Sequence, residues 1–106
     1  MTNIYEFTSY QDYLKKVILD NKAIRGFQTK MAVAANCQTS YLSQVLKSEK
    51  ELTPDHGIKI SQFLKLSLPH TRYFLCLISY SRAGSPELKD FIVDHMNEIK
   101  ETTVSL

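Results

Sequence analysis

The stretch Gln28 to Leu46, QTKMAVAANCQTSYLSQVL, constrains this chain more than any other. Apolar residues recur in it at helical spacing in two short blocks. Met31, Ala32 and Ala35 share one face of the first block, and Leu42, Val45 and Leu46 follow at i, i+3 and i+4 in the second. Asn36-Cys37-Gln38 lies between them as a tight polar turn, and Asn tolerates the left-handed backbone that such a turn often needs. Ala32 is small enough for a second helix to cross the first closely. Two short helices crossing through such a turn form a helix-turn-helix. The second helix of that motif is built to enter the DNA major groove.

On these residues the stretch resembles the helix-turn-helix of the Cro and phage-repressor class. Gln28 opens the first helix, Ala32 stands at its fifth position and Asn36 at the turn, with apolar Cys37, Leu42 and Val45 at the spacing of that class. A wider resemblance covers roughly Ile4 to Ala83. It is to a family of bacterial regulators with a Tyr-rich N-terminal helix, a Ser-Tyr-Leu in the recognition helix and a later Tyr-Phe pair. Here those are Tyr10 and Tyr13, Ser40-Tyr41-Leu42, and Tyr73-Phe74. Asn36 and Ser48 depart from the pattern, standing where Gly is usual. The resemblance implies an all-α transcriptional regulator of repressor type, working on double-stranded DNA as a two-fold dimer.

A chain of 106 residues is expected to be one domain with a single core. Three Gly and three Pro leave little turn chemistry for an all-β fold. A formal charge of +2 does not by itself argue for nucleic acid, but its distribution does more. From Lys22 to Lys50 five basic residues (Lys22, Arg25, Lys30, Lys47 and Lys50) stand against one acid, Glu49, whereas from Leu66 onward four basic residues face five acids. Positive charge therefore gathers around the suspected reading head, as a phosphate-binding surface requires. Cys37 and Cys76 sit in separate apolar patterns and read as buried free thiols in preference to a disulfide. No signal-peptide pattern occurs and no apolar run approaches a membrane span, so the expectation is a cytoplasmic protein without a membrane partner.

Along the chain, Ile4, Tyr5 and Phe7 suggest an N-terminal arm that packs down. Ser9 is expected to cap a helix, with Asp12 completing a variant capping box, and Tyr10, Tyr13, Leu14, Val17 and Ile18 as its buried stripe, the two tyrosines half-buried in the core. Thr53-Pro54-Asp55 marks another helix start, with Ile60, Phe63 and Leu64 turned inward. Gly57 inside that helix is unfavourable by about 1 kcal/mol against Ala, which a close neighbouring helix would explain. Ser67 caps the next helix, carrying Tyr73, Phe74, Leu77 and Ile78, and Gly84 is expected to end it. Ser85-Pro86-Glu87 starts a last helix on which Leu88, Phe91, Ile92, His95, Met96 and Ile99 form one continuous face, before a tail from Thr102 that is expected to fray. The fold predicted is an all-α bundle of five or six helices containing a helix-turn-helix. Residues 1–83 would form the DNA-binding core, and 84–106 a C-terminal helix that either docks on the core or pairs two copies.

No enzyme chemistry can be assembled from the sequence. His56, His70 and His95 are scattered and form no zinc pattern with the cysteines, and there is neither a Gly-rich phosphate loop nor a nucleophile elbow. No cofactor is expected. Off the apolar stripe of the second motif helix, about 39–47, lie amides and hydroxyls. Gln38, Thr39, Ser40, Ser43 and Gln44 are the candidates to read base edges, since Gln pairs bidentately with adenine and Ser or Thr serves several bases. Gln28 and Lys30 are the candidates to hold phosphates, assisted by Arg25, Lys47 and Lys50. Tyr41 is expected either to pack on the N-terminal helix or to lie along the backbone. The alternative from another class is a helix-turn-helix reused as a protein-interaction module that binds no DNA.

Overall fold

Four helices begin on a hydroxyl. In a computed structural model, which describes residues 2–104, Ser9 Oγ accepts from the amide of Asp12 at 3.2 Å and opens α1 (Tyr10–Asp20). Thr53 does the same for His56 at the head of α4 (Pro54–Phe63), Ser67 for His70 at α5 (Leu68–Arg82), and Ser85 for Leu88 at α6 (Pro86–Val104). Each hydroxyl satisfies an amide that the helix leaves without an acceptor. Ser9 Oγ also donates to Gln11 Oε1, and the expected box with Asp12 does not close, the Asp12 carboxylate lying instead 3.9 Å from Lys15 Nζ. A reciprocal box closes at Thr53, where His56 Nδ1 accepts from the Thr53 amide at 3.1 Å. The two remaining helices, α2 (Phe27–Ala34) and α3 (Thr39–Leu46), have no side-chain cap. A 3-10 turn, Ile4–Glu6, precedes α1, and no strand occurs among the described residues. Among the described residues the protein is thus an all-α bundle of six α-helices, in which α2 and α3 are two short helices joined by the turn 35–38.

Three helices end alike. After α2 the amide of Cys37 donates to Ala32 O and that of Asn36 to Val33 O, both at 3.0 Å, with Asn36 at φ +60°. After α3 the donors are Glu49 to Gln44 O and Ser48 to Val45 O, both at 2.9 Å, with Ser48 at φ +64°. After α4 they are Leu66 to Ser61 O and Lys65 to Gln62 O, with Lys65 at φ +57°. Each close pairs two orphan carbonyls through a left-handed residue, the role glycine usually fills. Asn36 and Ser48 are the two positions at which the sequence departs from glycine. Gly84, by contrast, does not take the left-handed form: α5 ends instead on Ala83 in extended backbone, and Gly84 lies beyond it. The chain can leave α5 in an extended path because Ser85 must start α6 almost at once, so no left-handed reversal is needed.

The core gathers α1, α2, α3, α4 and α5. Tyr10, Leu14, Met31, Leu42, Val45, Ile60, Tyr73 and Phe74 are all fully buried, as is Ile4 from the N-terminal arm. Tyr10 and Tyr13 lie deeper than the expected half-burial, at 0% and 3% exposure. The arm is held by more than apolar contact. Tyr73 Oη donates to Phe7 O at 2.8 Å, the Tyr5 ring stands edge-on to Tyr73, and the Thr2 hydroxyl donates to Asp20. That bond, with Lys16 beside it, holds the Asp20 carboxyl below its usual range. Gly57 has the predicted cause: a Cβ there would stand 2.6 Å from Ile78 Cδ1 and 2.8 Å from Leu75 Cδ2, so α4 and α5 can approach only across a bare backbone.

Two expectations for the C-terminal region are corrected. The face of α6 is not continuous. Ile92 and Met96 bury against α5 and Ile99 is half-buried, but Leu88, Phe91 and His95 lie outside. α6 packs chiefly on α5, and that one neighbour covers only the Ile92–Met96 side of the face. The tail from Thr102 does not fray at that point, since α6 continues through Val104. Ser105 and Leu106 lie outside the described residues.

Candidate nucleic-acid interface

The turn Ala35 to Gln38 sets where α3 points. Ala32 and Ala35 are buried at 0% and 1% exposure, so the two short helices meet over methyl groups. The backbone bond from Cys37 to Ala32 then anchors the far side of the turn. Cys37 itself is half-buried and free, and burial pushes its thiol pKa up, which keeps it protonated and structural; the same holds for Cys76. A further clamp joins the motif helices, because Gln28 Nε2 donates to Ser43 Oγ at 3.2 Å.

Behind α3 lies a polar cluster built from residues far apart in the chain. Tyr10 Oη donates to Glu51 Oε1 at 2.7 Å and accepts from the Leu52 amide at 3.0 Å. Ser81 Oγ lies 2.9 Å from both Glu51 carboxylate oxygens, Tyr41 Oη donates to Glu51 O, and Arg82 Nη1 donates to Leu52 O at 3.3 Å. Residue 51 therefore ties α1, α3 and α5 together at one point. Burial, followed by the hydrogen bond to Glu51, raises the Tyr10 phenol well above its ordinary value, so it stays a donor. This cluster decides the open question of Tyr41. Tyr41 serves to anchor α3 to the loop that follows, its ring 5.8 Å from His56. Tyr10 has its hydroxyl committed inside the protein and is not free to meet a phosphate.

On the opposite side α3 presents a polar face. Ser40, Gln44 and Lys47 follow at i, i+4 and i+7 and all three are exposed, as are Gln38 and Thr39 at the helix start. Ser43 is half-buried and already engaged by Gln28, so it is the least free of the five base-reading candidates. Of the phosphate candidates, Arg25, Lys30, Lys47 and Lys50 are exposed and Gln28 is half-buried. The chain carries no acid between Asp20 and Glu49, and Glu51 turns its carboxylate inward, leaving Glu49 as the one exposed acid of the 48–52 loop. Gly26, at φ +71°, leads directly into α2. The first turns of α2 and α3, which carry no side-chain cap, follow Arg25 and Gln38 respectively in the chain.

Sequence reasoning brought out the exposed residues of this face but missed the Glu51 cluster, the Gln28–Ser43 bond and the His56 box. Only the last had a local signal, a side-chain acceptor three residues after a capping Thr. No His, Cys, Asp and Glu residues among those described group closely enough to hold a metal ion, and no helix among them is long and apolar enough to cross a membrane. No family model, curated protein or solved structure matches this chain.

Proposed function

We infer that this protein is a sequence-specific double-stranded DNA-binding regulator of the helix-turn-helix type, with α3 as the helix that enters the major groove. The observation that carries this reading is the face made by α2 and α3. It is exposed, acid-free, rich in amides and hydroxyls, and backed by helices clamped through Gln28, Cys37 and Glu51. Gln44 and Gln38 supply bidentate donor–acceptor pairs suited to adenine, with Thr39, Ser40 and Ser43 as shorter hydroxyl contacts. Arg25, Gln28, Lys30, Lys47 and Lys50 flank them and hold phosphates, which sets register without reading sequence. The resemblance to the Cro and phage-repressor class points the same way.

Selection of the protein on a pool of randomised DNA duplexes, at two salt concentrations, tests this. A short enriched site whose affinity falls steeply with salt is the expected result. If no sequence is enriched even at low salt, the DNA reading is wrong and the motif serves as a protein-interaction module.

A further inference from the structure

One edge of α6 is apolar and faces away from the protein. Phe91 is 68% exposed and Leu88 46%, while their helix neighbours Ile92 and Met96 bury against α5. Phe91 and His95 form one wall of a groove of about 300 Å³, and Arg72, Leu75 and Cys76 of α5 form the other. A ring as large as Phe91 left this bare is unusual for a chain that has buried its other aromatic residues wholly or in part.

The two borders of this edge carry opposite charge. Glu87 and Asp94, at i−4 and i+3 from Phe91, lie along the outer border of α6 and are exposed. Arg72, also exposed, stands on the α5 border, and among the described residues neither it nor Asp94 makes an ion pair. The lysines of α6 do not neutralise the acids: Lys89 lies over the Tyr80 ring at 4.9 Å and Lys100 over Tyr73 at 5.4 Å, both drawn toward α5. An apolar strip with an acidic border on one side and a basic one on the other is complementary to itself, provided the two sides are exchanged.

We propose that this edge pairs two copies of the chain about a two-fold axis running along α6, with Phe91 against Phe91 and Arg72 of each copy against Asp94 of the other. Rotation about that axis exchanges the borders and sets acid against base. An axis across the helix would instead stack acid on acid and is disfavoured. The pairing stands on this surface alone and does not depend on DNA binding.

Sedimentation equilibrium of the full chain tests it. A monomer–dimer equilibrium is expected, weakened by Phe91→Ser with unchanged helical circular dichroism, since the ring contributes little to the protein's own core. Arg72→Glu and Asp94→Arg should each weaken pairing roughly tenfold or more through like-charge contact. An equimolar mixture of these two variants should regain wild-type affinity, because every border then meets its opposite. A monomer at all concentrations overturns the proposal and leaves the groove to another partner. So does a dimer that Phe91→Ser leaves intact, or a pair of weakened variants that mixing fails to restore. Selection of a DNA site by a monomer would sink the pairing and spare the DNA reading, and a dimer that selects no DNA would do the reverse.

Discussion

Ser48→Gly should stabilise the protein, and the size of the gain follows from the backbone. Ser48 closes α3 at φ +64°, where a side chain crowds the following carbonyl, at roughly 1–2 kcal/mol for an L-residue. Glycine removes that term but adds unfolded-state freedom worth about 0.4–1 kcal/mol. The bonds that make the close, Ser48 N to Val45 O and Glu49 N to Gln44 O, are backbone bonds and survive the change. Ser48 is exposed, so loss of its side chain leaves no cavity. The net gain is about 0.5–1 kcal/mol, or roughly 2–5 °C in Tm for a domain of this size. Lys65→Gly should match it, and Asn36→Gly should give less, because Asn is the side chain that best tolerates this conformation. Urea unfolding of each variant, beside Ser48→Ala and Lys65→Ala, provides the assay. Alanine keeps the Cβ and should bring no gain. Alanine variants as stable as the glycine ones, or glycine variants no better than wild type, would show that left-handed strain is not what these positions hold.

Gly57→Ala should destabilise by about 0–2 kcal/mol by thermal unfolding, the overpacking against Ile78 and Leu75 outweighing a helix-propensity gain near 1 kcal/mol; in an Ile78→Val background, which removes Cδ1 and leaves only the Leu75 contact, the same change should be less costly. Glu51→Ala should cost about 1–3 kcal/mol by thermal unfolding, because Tyr10 and Ser81 lose their acceptor, and an unchanged Tm would remove the cluster from any account of stability. Alkaline stability is set by the buried phenols: burial pushes Tyr13 up to about 12, whereas the unfolded phenol ionises near 10. The unfolded state therefore releases its proton first as pH rises. Stability is intact below about pH 10 and falls between about 10 and 12, and Tyr13→Phe should make that fall shallower in denaturant titrations. On an enriched DNA site, Lys47→Ala should weaken all sequences alike and flatten the salt slope, while Gln44→Ala should lose roughly 1–3 kcal/mol at one base position and relax specificity there.

Helix starts were legible because their chemistry is local. Ser9, Thr53-Pro54, Ser67 and Ser85-Pro86 each announce a helix within four residues, and all four cap as expected. The inward faces of α1, α3 and α5 were equally plain, since each of these helices packs against more than one other element, which together cover its apolar stripe. The α6 stripe repeats at the same spacing as that of α1, but α6 packs chiefly on α5, and only the position of α5 decides that Ile92 and Met96 go in while Phe91 stays out. The Glu51 cluster was illegible for a different reason. Its partners Tyr10 and Ser81 lie 41 and 30 residues away, and a Glu in a charged loop looks like any solvated acid until those hydroxyls are brought beside it.

The cluster at Glu51 has a mechanical consequence. It joins the loop after α3 to α5, and α5 is the helix on which α6 is seated, so α3 and the Phe91 edge are connected through hydrogen-bonded and packed helices. Two copies joined along α6 would hold their α3 helices at a separation and angle written into the fold, like the jaws of a fixed gauge. Adding one base pair between half-sites moves the second site by about 3.4 Å and turns it by about a tenth of a revolution. Such a gauge cannot follow that displacement, so the DNA would have to twist or bend to meet it, and tolerance to spacing would be governed by the stiffness of the duplex.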